Sequence, residues 1–257
     1  MNIKPLEQGQ SSNEIICESL VISQFSTIEE IIEVYIKLSE ENKGSSILLT
    51  LDDLGQAEYT CSHSIMNNDL DETEGYDLST VDAKAFENGE HIGYLSTPSE
   101  FFIRKNNFEK GIIGIEYPSI FQKDLSVDED ELDRLIDANK NPYNWIDDYI
   151  IAKIVPVDKS YEAICAFPNG YFSCDLNPFE NYILAKRFYE KYGYNLLGIG
   201  ASLIGFIREK QLEESQYKSL IEDLAKLYNQ TESNIEKIVS NNKKHNLLFL
   251  KYTEQLE

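Results

Sequence analysis

The chain has 257 residues with a hydrophobic content of 42% and a net charge of −22, enough apolar material for packed cores, which excludes wholesale disorder. The charge is one-sided: residues 1–149 hold 31 acidic against 10 basic side chains, and residues 150–257 hold 14 against 13. Such a surface disfavours nucleic acid as a partner, because phosphates need basic patches, and would steer cationic ligands instead.

In chain order, residues 1–13 read as a loose polar tail with no secretory signal. Ser26 and Glu29 form a capping-box pattern, and Ile28, Ile31, Ile32, Tyr35 and Leu38 follow at helical spacing up to Gly44. Ser46–Leu51 is a short apolar run that predicts a buried strand. Residues 52–80 are polar and acidic and predict a long loop carrying Asp69, Asp71, Glu72, Glu74 and Asp77. Ile92–Leu95 and Phe101–Arg104 predict edge strands separated by a turn at Pro98, and Gly111–Tyr117 a further strand.

Ser126 with Glu129 predicts a short helix that Asn141-Pro142 stops. Leu132, Leu135 and Ile136 would face inward, and Asp128, Glu129, Asp130, Asp133 and Asp137 outward. Beyond it, Tyr149–Val155 and Tyr161–Phe167 predict strands before the turn Pro168-Asn169-Gly170. Asn177, Pro178 and Glu180 open an aromatic-faced helix that Gly193 closes. Tyr194–Ile199 and Ser202–Ile207 predict a hairpin or a bent strand around Gly200-Ala201. Two helices follow, one with Tyr217, Leu220, Ile221, Leu224 and Tyr228 on a single face and one opened by Ser233 and Glu236. Leu247–Tyr252 predicts a closing strand. The expected class is α+β: mixed or antiparallel sheets with helices packed on one face, in two subdomains. The expected divisions are a tail at 1–13, an acidic α+β region at 14–123, an acidic helix and linker at 124–145, and an α+β domain at 146–257.

The segment Asp175-Leu-Asn-Pro-Phe-Glu-Asn-Tyr182, with Lys191-Tyr-Gly-Tyr194 and Gly198-Ile-Gly-Ala-Ser202, resembles a bacterial family of domains of unknown function. In that family a Pro-started helix ends in a Lys-Tyr-Gly cap, and a strand, a helical stretch and a closing aromatic strand follow. The resemblance spans about residues 149–257 and implies a domain of that extent with an α+β fold, but no catalytic residue. Leu247-Leu-Phe-Leu250 departs from it, standing where members of the family often carry Trp.

Chemistry-bearing residues are sparse. Cys61-x-His63, with Asp69 and His91, falls short of the four well-spaced ligands of a structural zinc site, and the 69–77 loop lacks the alternating oxygens of a calcium loop. No metal or cofactor is expected. Cys174 and Asp175 precede a helix N-terminus, which would lower a thiol pKa, and His245, the only His of the C-terminal region, would have to converge with them in space as the base. Gly198-x-Gly200 lacks the helix start of a phosphate cradle. Tyr182, Tyr189, Tyr192 and Tyr194 read as a core face, and the basic Lys186, Arg187 and Lys191 complement the helix dipole.

The four cysteines show no framework and read as reduced thiols, and no apolar run is long enough for a bilayer, so a cytoplasmic protein is expected. The leading reading is a protein-binding module that docks a basic partner through Asp69, Asp71, Glu72, Glu74, Asp128, Glu129, Asp130 and Asp133. Its most specific form is an immunity protein neutralising a basic toxin. The alternatives are an enzyme built around Cys174, Asp175 and His245 or the Gly198–Ser202 turn, and an acidic mimic of a DNA duplex.

Overall fold

The structure, a computed structural model, describes residues 1–6, 16–123, 125–240 and 246–256. Its centre is a mixed sheet of seven strands. In chain order these are β1 (Asn2–Pro5), β2 (Glu18–Ser23), β3 (Ser46–Thr50), β6 (Tyr149–Val155), β7 (Asn195–Ile199), β8 (Leu203–Ile207) and β9 (Leu247–Lys251). They lie in the order β1-β2-β6-β3-β7-β8-β9, with a separate two-stranded hairpin of β4 (Phe86–Glu87) and β5 (Glu90–His91). Every neighbouring pair is antiparallel except β3 and β7, which run parallel with Leu49 beside Gly198. The fold is therefore α+β. The boundary expected at residues 145 and 146 falls inside this arrangement, since β3 is hydrogen-bonded between β6 and β7.

All five residues of β3, β8 and β9 are buried, so the middle of the sheet is covered on both faces, which extends the one-faced packing expected from the sequence. One hydrophobic core runs from Ile16 to Leu256. A smaller cluster joins Val21 of β2, its cross-strand partner Ile151 of β6 and Leu6 just after β1, against Leu54.

Seven helices surround the sheet in the described residues: α1 (Ile28–Glu41), α2 (Leu54–Asn67), α3 (Phe101–Gly111), α4 (Glu129–Lys140), α5 (Pro178–Tyr192), α6 (Glu214–Leu227) and α7 (Glu232–Ser240). The strong signals hold. Asn177 accepts from the amides of Phe179 and Glu180, Glu180 accepts from the Asn177 amide, and Gly193 closes α5 at φ 70°. For α1 and α4 the caps are Thr27 and Asp128, one and two residues later than Ser26 and Ser126.

Several expectations are corrected. The start of the tail is an edge strand, because residues 2–5 pair with β2; the tail's remainder lies outside the described residues. Residues 54–67 form α2 rather than loop. Its buried face consists of Ala57, Thr60, Cys61, Ser64 and Ile65, side chains too small or polar to register as an apolar stripe. Thr60 and Ser64 are tolerated there because their hydroxyls bond Asn169 Oδ1 and the Gly170 carbonyl. Phe101–Arg104 belong to α3, not to an edge strand, and Thr97 and Glu100 form the capping box of a 3-10 turn, Pro98–Glu100, that leads into it. Ile92–Leu95 form no strand, although the Ile92 amide donates to the Ala85 carbonyl at 3.0 Å, and Gly111–Tyr117 form none either, since Gly114 turns the chain at φ 83°. Tyr161–Phe167 form no strand either: Ser160–Ala166 is a 3-10 helix buried against α5 and β3, an environment whose apolar run looks the same in both states.

Candidate functional site

The acidic loop after α2 is pinned onto α3. Asn107 donates its side-chain amide to the carbonyls of Leu70, at 3.2 Å, and Glu72, at 2.8 Å. Asp71 pairs with Arg104 Nε, on a guanidinium only 2% exposed, so this carboxylate offsets a buried cation and is turned inward. Glu72 accepts from the amide of Glu74 at 2.9 Å. Asp69, Glu72 and Glu74 remain exposed.

The start of α4 is arranged differently. Asp128 caps the helix by accepting from the Glu131 amide at 2.9 Å, and Asp128, Glu129, Asp130 and Asp133 all stay exposed. Carboxylates suit this end, where unpaired amides and the helix dipole favour negative charge. Glu131 points inward to Lys251 Nζ at 2.6 Å. That ammonium, fully buried, also donates to the carbonyls of Ser126 (3.1 Å) and Glu254 (2.7 Å). Glu131 accepts in addition from the Leu256 amide at 3.2 Å, so β9 and the turn beyond it hold the helix start in place. Between them lies a cavity of about 390 Å³ lined by Ser126, Asp128, Asp130, Glu131, Arg134, Glu254 and Gln255. Arg134 is the one cation in that lining, and its guanidinium sits 5.6 Å from the centre of the Trp145 ring.

A neighbouring cavity of about 320 Å³ shares Glu254 and Gln255 and is also lined by Gln56, Thr60, Cys174, Asp175, Ala201 and Ser202. The structure thus brings the two halves of the enzymatic reading together, while His245 lies outside the described residues. The thiol is not activated. Cys174 Sγ lies 3.7 Å from Asp175 Oδ1, and burial followed by the Asp175 charge pushes its pKa up, the opposite of the depression expected at a helix start.

The Gly198–Ser202 turn does cradle an anion, but an internal one. Asp52 accepts from the Ser202 amide (2.8 Å), the Ser202 hydroxyl (2.7 Å) and the Leu203 amide (3.1 Å). Burial raises its pKa to about 6 in spite of those bonds. Gly200 is required because a Cβ there would stand 2.1 Å from Asp52 Oδ1.

The weaker motifs resolve into packing. Cys61 is buried on α2, His63 lies between the rings of Tyr59 and Tyr171, and His91 Nε2 bonds Glu100 Oε1 at 2.7 Å. Among the described residues no three His, Cys, Asp or Glu side chains converge as metal ligands. Tyr182, Tyr192 and Tyr194 are core residues, and Tyr189 is half-buried. Asp223 on α6 gathers Arg187 (3.1 Å), Lys191 (3.1 Å) and the Tyr192 hydroxyl (2.6 Å). The two basic residues therefore serve a helix–helix tie as well as the dipole.

Sequence reasoning missed Arg104, Lys251 and Asp52, whose roles depend on long-range partners. No described helix is long and apolar enough to cross a membrane. Compared with known proteins, the chain matches no family model, no curated protein and no solved structure.

Proposed function

We propose that this chain is a protein-binding module that docks a basic partner on the acidic start of α4 and the adjoining C-terminal turn. In its most specific form it is an immunity-type inhibitor acting in the cytoplasm on a cationic toxin. The observation that supports the reading is the groove at the start of α4, where Asp128, Asp130 and Glu254 face a single arginine, 5.6 Å from the centre of the Trp145 ring, while Glu131 is already paired with Lys251. Exposed Glu129 and Asp133 extend the same field, and Asp69, Glu72 and Glu74 add to it from the α2–α3 loop. Complementary potentials of this kind raise association rates and select partners, an advantage for an inhibitor that must act quickly. Four free thiols accord with a reducing compartment.

The test is capture of partners at low and high salt by the full chain and by a variant with Asp128→Asn, Glu129→Gln, Asp130→Asn and Asp133→Asn. A basic partner is expected that leaves at high salt and is lost by the variant. Absence of a basic partner, or binding indifferent to salt, would sink the proposal.

The shared cavity around Cys174, Asp175 and Ser202 favours a second reading, an uncharacterised enzyme. Alkylation of Cys174 followed against pH decides it. An apparent pKa above that of a free thiol removes the nucleophile, whereas one depressed below neutrality would restore it.

A further inference from the structure

Arg208 follows β8 directly and is only 9% exposed, yet its Nε and Nη1 find no hydrogen-bond partner. No carboxylate pairs with it among the described residues, in contrast to the other deeply buried guanidinium, Arg104, which has Asp71. A buried charged donor without a partner is costly, and native proteins rarely leave one. The guanidinium carbon lies 5.3 Å from the centre of the Tyr194 ring, which steadies the cation but leaves those donors free.

Arg208 lines two cavities. One, of about 390 Å³, is rimmed by Glu40, Asp158 and Glu209, and three of its hydroxyls are engaged: Ser39 donates to the Tyr35 carbonyl, Ser46 to the Val157 carbonyl and Ser160 to Asn195. Its three carboxylates outnumber its two cations, Lys43 and Arg208, and so oppose an anion. The other, of about 210 Å³, has walls of Tyr194, Leu212, Tyr217 and Val239 and the amide side chains of Gln211 and Asn246. Its one acid, Glu214, is largely exposed and faces Lys218 at 3.5 Å. Nε and Nη1 are covered, so a ligand reaches them only with a small turn of the guanidinium; a water there would still leave the charge uncompensated, whereas an oxyanion compensates it and accepts from them.

We propose that this second cavity is a binding site for a small organic carboxylate, its anion held by Arg208 and its apolar body packed on Leu212, Tyr217 and Val239. The apolar walls argue for a carboxylate with a hydrocarbon or aromatic body over an inorganic ion. A volume of about 210 Å³ restricts it to a small molecule. The long-range field of a chain of net charge −22 repels anions, so specific binding has to arise from this local arrangement.

The test is a titration of the full chain with benzoate, acetate and inorganic phosphate at constant ionic strength, following the Arg208 Nε–H resonance by NMR. Benzoate is expected to move that resonance saturably and at lower concentration than acetate. Arg208→Gln should weaken benzoate binding about tenfold or more, the loss of charge-assisted hydrogen bonds. Leu212→Ala keeps the guanidinium and should erase the preference for benzoate over acetate. If Arg208→Gln does not fold, the wild-type resonance and Leu212→Ala still decide the matter. A resonance that benzoate leaves unmoved, or one that phosphate moves as readily as benzoate, overturns the proposal.

Discussion

The loop at residues 69–77 and the start of α4 are both dense in carboxylates, yet the fold uses them differently. In the loop, Asp71 is drawn onto buried Arg104, Glu72 accepts from the Glu74 amide and Asp77 from the Ser79 amide. In α4, Glu131 is taken by Lys251 and Asp137 by Trp145 and Asn141, while Glu129, Asp130 and Asp133 project into solvent beside the capping Asp128. A count of acids therefore overstates a docking face until the carboxylates committed to the fold are subtracted. What remains is concentrated on α4.

This contrast can be broken most sharply at Asp71. Asp71→Ala should lower unfolding free energy by about 3–5 kcal/mol in urea titrations, because it strands a buried guanidinium. A loss near zero would mean that the loop acid is as free as those of α4. Asp52 is turned inward without a cation, and its stability effect has the opposite pH dependence from a paired acid. Its pKa rises from 3.8 unfolded to about 6 folded, so the folded state binds its proton more tightly. Its contribution is greatest at low pH and declines as pH rises from about 4 through about 6, by about 3 kcal/mol in all. Asp52→Asn should flatten that part of a stability-against-pH profile.

The cap gives a smaller effect. Asp128→Ala should cost about 1 kcal/mol in thermal or chemical denaturation and Asp128→Asn a few tenths, since Asn also caps. Smallest of all, neutralising Glu129, Asp130 or Asp133 singly should change stability by no more than about 0.5 kcal/mol. If the proposed docking is right, those same changes slow association with a basic partner measurably.

Features written in adjacent residues were legible in the sequence: the Asn177-Pro178-Phe179-Glu180 helix start, Gly193, the β7–β8 hairpin, and α4 with its exposed face. Those carried by long-range contact were not. Helix α2 is held by Thr60 and Ser64 reaching Asn169 and Gly170, more than a hundred residues away, and its one local signal, the Asp53 cap on the Gln56 amide, is lost among neighbouring acids. The hydroxyl-rich sequence hid an amphipathic helix, and the Pro98 turn hid a capping box. At the candidate site the exposed acids were readable, but the inward turn of Asp71 required Arg104, 33 positions later. The approach of Asp52 to Ser202 spans 150 positions.

The placement of β3 between β6 and β7 also governs the order in which the molecule can form. During synthesis β1 and β2 can pair early, but β3, apolar along its length, has no strand neighbour until residue 149 and beyond have emerged. Contacts of such sequence separation carry a large loop-closure penalty and slow the search for the native state. The nascent chain thus holds an exposed, sticky strand for much of its translation, a window in which chaperone binding or misassociation competes with folding.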